Sequence, residues 1–226
     1  MTDEIQWLPL ETAEDVAQSA VQKILFMAQQ AISHQGQFKM VLAGGTTPKR
    51  IYELLAQQDQ QWEKWHLFIG DERCLEKNDP ERNSVMIQQS WLEQVNFPGA
   101  NFHPIAAEHG PEQAAVEYAD SIRPFLPFDL TLLGIGEDGH TASLFPGQLH
   151  NENELTHAVF NAPKAPSERV SLSKKALADS DKVIILVTGA GKKSAVQQWQ
   201  RGEALPVAQI RAMNGVDVLI DRDAMP

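Results

Sequence analysis

The sequence is poor in cysteine, in positive charge and in long apolar runs. Cys74 is its only cysteine, so no intrachain disulfide can form, and a reducing cytoplasm is the expected setting. Lysine and arginine number 19 against 30 aspartates and glutamates, a formal net charge of −11 at pH 7. That balance argues against nonspecific binding to nucleic acid or to an anionic membrane. It still permits a small anionic substrate held by a local basic pocket. No apolar run reaches about 18 residues, so no membrane-spanning helix is expected. The opening MTDEIQWLPLETAEDV is acidic and lacks the basic-then-apolar order of a secretory signal. The spacings H-x-x-x-H, H-E-x-x-H and G-x-S-x-G do not occur, so neither a metal site nor a serine hydrolase is expected.

What is present suits one sizeable core. The chain has 226 residues, 42% hydrophobic and 22% charged, and reads as a single domain over 1–226. Apolar runs at 38–45, 65–73, 128–136, 182–191 and 216–221 predict buried strands. Shorter segments at 157–162 and 169–173 predict a small hairpin or edge strands. Helical patterns fall between them, at 12–33, 48–58, 83–95, 110–122 and 191–202. Thr12 with Asp15 can cap the first, where Val16, Ala20, Ile24, Met27 and Ala31 share a face. Pro48 suits the first residue of the second. Alternating strands and helices imply a mostly parallel sheet with helices on both faces, an α/β fold. Trp62, Trp65 and Trp91 read as core or rim aromatics.

In such a sheet ligands bind beyond the carboxyl ends of the strands, so the loops there carry the function. In AGGTTPKR (43–50), Gly44 and Gly45 allow close backbone approach, and Thr46 and Thr47 stand at a helix start. This reads either as an anion site or as an ordinary strand-to-helix turn with a threonine cap. In GDERCLEKNDPERNS (70–84), Asp71 can position a hydroxyl and Arg73 can clamp a phosphate or carboxylate; the plain alternative is a solvated charge run. LLGIGEDGHTASLFPG (132–147) fits G-x-G-x-x-G through Gly134, Gly136 and Gly139. A dinucleotide site needs a substantial helix next, and Pro146-Gly147 interrupts it. The other reading is a tight turn that presents His140 as a base for water, with Asp138 beside it to orient the ring. TGAGKKS (188–194) fails the phosphate-loop pattern but sets Lys192 and Lys193 at a strand-to-helix turn. Arg169 adds a further cation.

Taken together, these loops and the closing LPVAQIRAMNGVDVLIDRDA (205–224) resemble the 6-phosphogluconolactonases over roughly residues 10 to 224. DGHTASLFPG is specific to that pattern; GGTT alone is not. The resemblance implies a three-layer α/β/α fold like that of glucosamine-6-phosphate deaminase. It implies hydrolysis of 6-phospho-D-glucono-1,5-lactone to 6-phosphogluconate without a cofactor. The expected partner is that sugar-phosphate lactone, and the expected state is a monomer or weak homodimer. Carried over, His140 is the general base, Asp71, Arg73 and Lys192 line the site, and the Gly44–Thr47 loop holds phosphate. Many members have Ser-Asn after the D-E-R segment, whereas Arg82-Asn83-Ser84 stands here; either Arg82 adds a cation or the order is a tolerated variant. The deaminase itself normally carries an Asn-Glu-Pro loop and a Tyr after Asp-Glu; SLFPG and Arg73 stand here instead. A sugar-phosphate-binding regulator on the same fold would tolerate loss of the base, yet His140 and Asp138 are present.

Overall fold

Thr12 opens the first long helix, α1 (Ala13–Gln35). Its hydroxyl accepts from Asp15 N at 3.1 Å, and Asp15 Oδ2 accepts from Thr12 N at 3.0 Å. This reciprocal box satisfies N–H groups otherwise orphaned at a helix start. The helix ends where Gly36 takes a φ of +83°, which an L side chain resists. Val16, Ala20, Ile24 and Ala28 bury one face, while Met27 and Ala31 are only partly buried. The computed structural model describes residues 4–226, so the first three residues of the acidic N-terminal stretch lie outside the described residues. Among the described residues no helix is long and apolar enough to cross a membrane.

The strands are β1 (Ile5–Leu10), β2 (Phe38–Leu42), β3 (Trp65–Ile69), β4 (Asp71–Arg73), β5 (Phe102–His103), β6 (Phe128–Gly134), β7 (Thr156–Val159), β8 (Arg169–Leu172), β9 (Ser180–Val187) and β10 (Val216–Asp221). The remaining helices are α2 (Thr46–Leu55), α3 (Asn83–Ser90), α4 (Pro111–Ile122), α5 (Lys174–Ala178) and α6 (Lys193–Gln200). Seven strands form one sheet in the order β1-β10-β9-β6-β2-β3-β5, with every pairing parallel. Helices cover both of its faces. The inner strands β2 and β10 are buried along their whole length, Lys39, Asp217 and Asp221 included, as both faces of a covered parallel sheet require. The predicted hairpin is present: β7 and β8 pair antiparallel and join β4 in a second, three-stranded sheet. Trp62, Trp65 and Trp91 are buried and meet edge-on at 5.0, 5.5 and 5.9 Å between centroids.

Two expectations need correction, and three elements went unforeseen. The run 65–73 is two strands, because at Gly70 the chain leaves the parallel sheet and β4 joins the small one. Pro48 is the third residue of α2, not the first; the ring is tolerated there because N–H groups of a first turn have no helical acceptor. β1, β5 and α5 lay in segments without a strong period. β1 earns its place by parallel pairing with β10 at the sheet edge, from Ile5 opposite Val216 to Leu10 opposite Asp221.

A buried clasp fixes β4 against α3. Glu72 is fully buried and accepts from Asn83 N and Ser84 N, each at 2.8 Å, so it caps α3 from outside the helix. Arg82 Nε lies 3.5 Å from Glu72 Oε2, an ion-pair distance. The Arg82 guanidinium also donates to Glu108 Oε2 at 2.7 Å and Ile105 O at 2.6 Å, with 2% of its side chain exposed. Arg82 is therefore a structural cation, not an extra one for a ligand. Removing one partner of a buried pair strands the other charge, so Glu72→Ala is expected to cost about 3–5 kcal/mol in denaturant unfolding. A loss under about 1 kcal/mol would show the clasp to be dispensable.

At the other end of the sheet Asp217 pairs with Lys182 at 2.7 Å and Lys23 at 2.9 Å. Burial pushes its carboxyl up, but the two ammoniums outweigh burial and hold it below the ordinary range. A depressed carboxyl stabilises the fold above its unfolded pKa, and that contribution fades as pH falls through the folded one. Asp217→Asn should therefore lose stability in full at pH 7, with the gap to the parent closing below about pH 4 in thermal melts.

Candidate active site

The sheet order reverses between β2 and β6. From β2 the chain builds outward through β3 and β5, then returns to β6 on the other side and continues to β9 and β10. Loops leaving the carboxyl ends of β2 and β6 therefore diverge and leave a crevice, the usual ligand position in such sheets.

At the end of β2, the Tyr52 hydroxyl accepts from Ala43 N at 3.0 Å and donates to Ala43 O at 2.8 Å. Gly44 comes next, and a Cβ there would stand 2.0 Å from Asn83 Oδ1. Only glycine lets Asn83 lie so close, and Asn83 Nδ2 donates on to Asp71 O at 2.7 Å. Gly45, at φ +109°, precedes α2 and offers no side-chain cap. The first N–H groups of α2 thus carry no side-chain acceptor, a ready anion cradle. Thr46 is exposed, and Thr47 Oγ1 lies 2.7 Å from Thr188 Oγ1, which ties this loop to the end of β9.

Asp71 is 8% exposed, and its Oδ2 accepts from Ser143 Oγ at 2.6 Å. The hydroxyl it positions here belongs to its own chain. Arg73 stands opposite Arg169 across β4 and β8, so the two cations share one face of the small sheet. Arg73 Nη1 donates to Glu81 O. Arg169 is buried and donates to the carbonyls of Pro166 at 3.1 Å, Lys164 at 3.0 Å and Ala165 at 3.3 Å. Burial lowers its pKa, Asp71 pulls it back up, and Arg73 lowers it further.

The turn after β6 brings Asp138 and His140 together. His140 Nδ1 lies 2.5 Å from Asp138 Oδ1, and His140 N donates to the same oxygen at 3.2 Å. Burial pushes the Asp138 carboxyl up, but the hydrogen bonds from the His140 ring and backbone outweigh it and hold it below the usual range. A carboxylate on Nδ1 fixes the Nδ1–H tautomer and leaves Nε2 as the basic nitrogen. Among the described residues Nε2 has no hydrogen-bond partner. The glycines serve this turn. A Cβ on Gly136 would stand 2.0 Å from His140 Nδ1, and Gly139 at φ +82° closes the turn by donating to Gly136 O at 3.0 Å. No helix follows Gly139; the chain makes a short bridge between Thr141 and Leu144 and runs on to β7. The dinucleotide pattern is thus the by-product of a turn that seats a histidine.

Lys192 stands half-buried at the turn into α6. Burial lowers its pKa, and Glu137 and Asp138 beside it pull it back up, so it shares the region of the Asp138–His140 pair. Four contributors were not singled out by sequence: Asn83, Ser143, Thr188 and Phe145. Each lies close to a motif glycine or charge; Ser143 and Thr188 meet partners far along the chain, at Asp71 and Thr47, while Asn83 meets Asp71 within the 70–84 segment and Phe145 meets His140 five residues back. Among the described residues no group of three or more His, Cys, Asp or Glu side chains is placed to hold a metal ion. A cavity of about 960 Å³ lies next to this turn, lined by Leu144, Phe145, His150, Ser173 and Arg211 among others; His140 is not in its wall.

The chain is similar in sequence and in fold to proteins of known description. A 6-phosphogluconolactonase from Synechocystis is 39% identical over 188 residues, covering 78% of this chain and 77% of the relative. The crystal structure of 6-phosphogluconolactonase from Thermotoga maritima superposes with a TM-score of 0.90 at 28% identity, covering 97% of this chain and all of the other. A monomeric glucosamine-6-phosphate deaminase shares the fold at a TM-score of 0.83 and 21% identity, over 97% of this chain and 98% of its own. The model of the family described as glucosamine-6-phosphate isomerases/6-phosphogluconolactonase matches residues 11–219, and the chain belongs to that family.

Proposed function

We propose that the protein hydrolyses 6-phospho-D-glucono-1,5-lactone to 6-phosphogluconate, with His140 as general base, in the oxidative branch of pentose phosphate metabolism. The observation that carries this reading is the Asp138–His140 hydrogen bond of 2.5 Å on a glycine turn at the strand-order reversal. The relatives' names support the substrate.

In this reading a water at His140 Nε2 gives up its proton as its oxygen attacks the lactone carbonyl carbon. Asp138 stabilises the imidazolium that results. The carbonyl oxygen carries the negative charge of the tetrahedral intermediate, and backbone N–H groups of the glycine turn or a nearby cation are the candidate donors to it. When the intermediate collapses, the bond to the ring oxygen breaks, and His140 returns its proton to that oxygen. One water is consumed and one carboxylic acid appears. Gly44, Gly45, Thr46 and Thr47 offer the phosphate the uncapped start of α2, and Lys192, Arg73 and Arg169 supply positive charge. Arg169 spends Nε and Nη2 on carbonyls, which leaves Nη1 for a ligand. Asp71 holds Ser143 and with it the far side of the catalytic turn. We further infer a cytoplasmic monomer or weak homodimer, in keeping with the lone Cys74 and the acidic composition.

His140→Asn is expected to lower lactone hydrolysis, above the spontaneous background, by about tenfold or more with the melting temperature retained. Asp138→Asn should fall by a comparable factor, since the amide fixes the wrong tautomer. Parental rates in His140→Asn would end the general-base assignment. Lys192→Ala should raise KM by about tenfold with a smaller change in kcat, as lost phosphate binding requires. An unchanged KM would remove Lys192 from the phosphate site.

A further inference from the structure

One contact to the His140 ring has no place in the scheme above. The Phe145 ring centroid is 4.7 Å from that of His140, tilted by 44°. The same ring lies 5.7 Å from the Arg169 guanidinium carbon, within cation–π range. Phe145 is 3% exposed. It packs with Val159 and Ala162 in a small buried cluster apart from the main core. Val159 ends β7, and Arg169 begins β8, so Phe145 is seated by the hairpin that carries Arg169.

We propose that Phe145 is a positioning residue for the reaction: its ring sets the plane of the His140 imidazole and its spacing from the Arg169 guanidinium. The proposal rests on His140 acting as the base. The imidazole turns about its Cβ–Cγ bond, and such a turn would carry Nδ1 away from Asp138 and release the tautomer that the carboxylate fixes. Gly136 lies under the ring at Nδ1, and Phe145 supplies the second boundary. Nε2 then points one way, as a base that must meet its proton at hydrogen-bond distance requires. Phe145 also lines the cavity of about 960 Å³ beside the turn. Trimming the ring would give the imidazole room to swing toward that space. Leucine preserves apolar character but not the flat face. Tyrosine preserves the flat face.

The test compares Phe145→Leu, Phe145→Tyr and His140→Asn in lactone hydrolysis, thermal melting and ¹⁵N NMR of the His140 imidazole. Phe145→Leu should retain a parent-like melt, lose about tenfold in kcat, raise KM, and show a mixed tautomer signal at His140. Phe145→Tyr should restore kcat, KM and the single tautomer. If Phe145→Leu does not fold, Phe145→Met takes its place with the same expectation. An inactive His140→Asn beside a Phe145→Leu with parental kcat, KM and NMR signal would overturn the role of Phe145 alone. An active His140→Asn would overturn the general-base reading and the Phe145 proposal with it.

Discussion

Strands β2 and β6 pair in register at Met40–Leu130 and Val41–Thr131, and the site depends on that pairing. It joins the two halves of the sheet where the chain order reverses. A parallel strand delivers each following loop to the same edge, so the loops of β2, β3, β6 and β9 all emerge on one rim. The reversal then decides which of them diverge. The GGTT loop and the His140 turn leave on opposite sides of the crevice.

Packing alone does not hold such loops in place, because their backbone groups lack a sheet partner. Here side chains supply the missing acceptors and donors. Glu72 caps α3, Asn83 bridges Gly44 to Asp71, Thr47 meets Thr188, and Ser143 meets Asp71. Asp221 accepts from Gly189 N at the start of the turn that bears Lys192. Thr47–Thr188, Ser143–Asp71 and Asp221–Gly189 join segments that follow different strands, while Glu72 and Asn83 close the segment from β4 to α3 on itself. The buried links carry the larger penalty if broken, since a stranded buried charge or acceptor is not rehydrated.

Charge is arranged by the same means. The protein is strongly acidic as a whole, yet Arg73 ends β4, Arg169 begins β8 and Lys192 stands on the turn after β9. Two of the three are brought level by antiparallel pairing of β4 with β8. Their mutual repulsion is relieved by Asp71 beside them, and a bound anion would relieve it further.

The sequence by itself determined the local pieces. Apolar runs of strand length, the Thr12–Asp15 box and the glycines around His140 act over a few residues, so their physics is visible in the order of letters. It also set Asp138 two residues before His140, close enough to bond once the turn closed. The β4 segment was legible only as part of a longer run, because the change of sheet at Gly70 depends on a partner, β8, about a hundred residues on. Tertiary structure alone decided the fate of Arg82, whose charge sequence offered to a ligand and burial gave to Glu72 and Glu108. It alone decided that Phe145 would face His140 and Arg169 at once. Those outcomes need Glu108 and Arg169, which lie well outside the segments that carry Arg82 and Phe145, and no period or spacing within a segment encodes them.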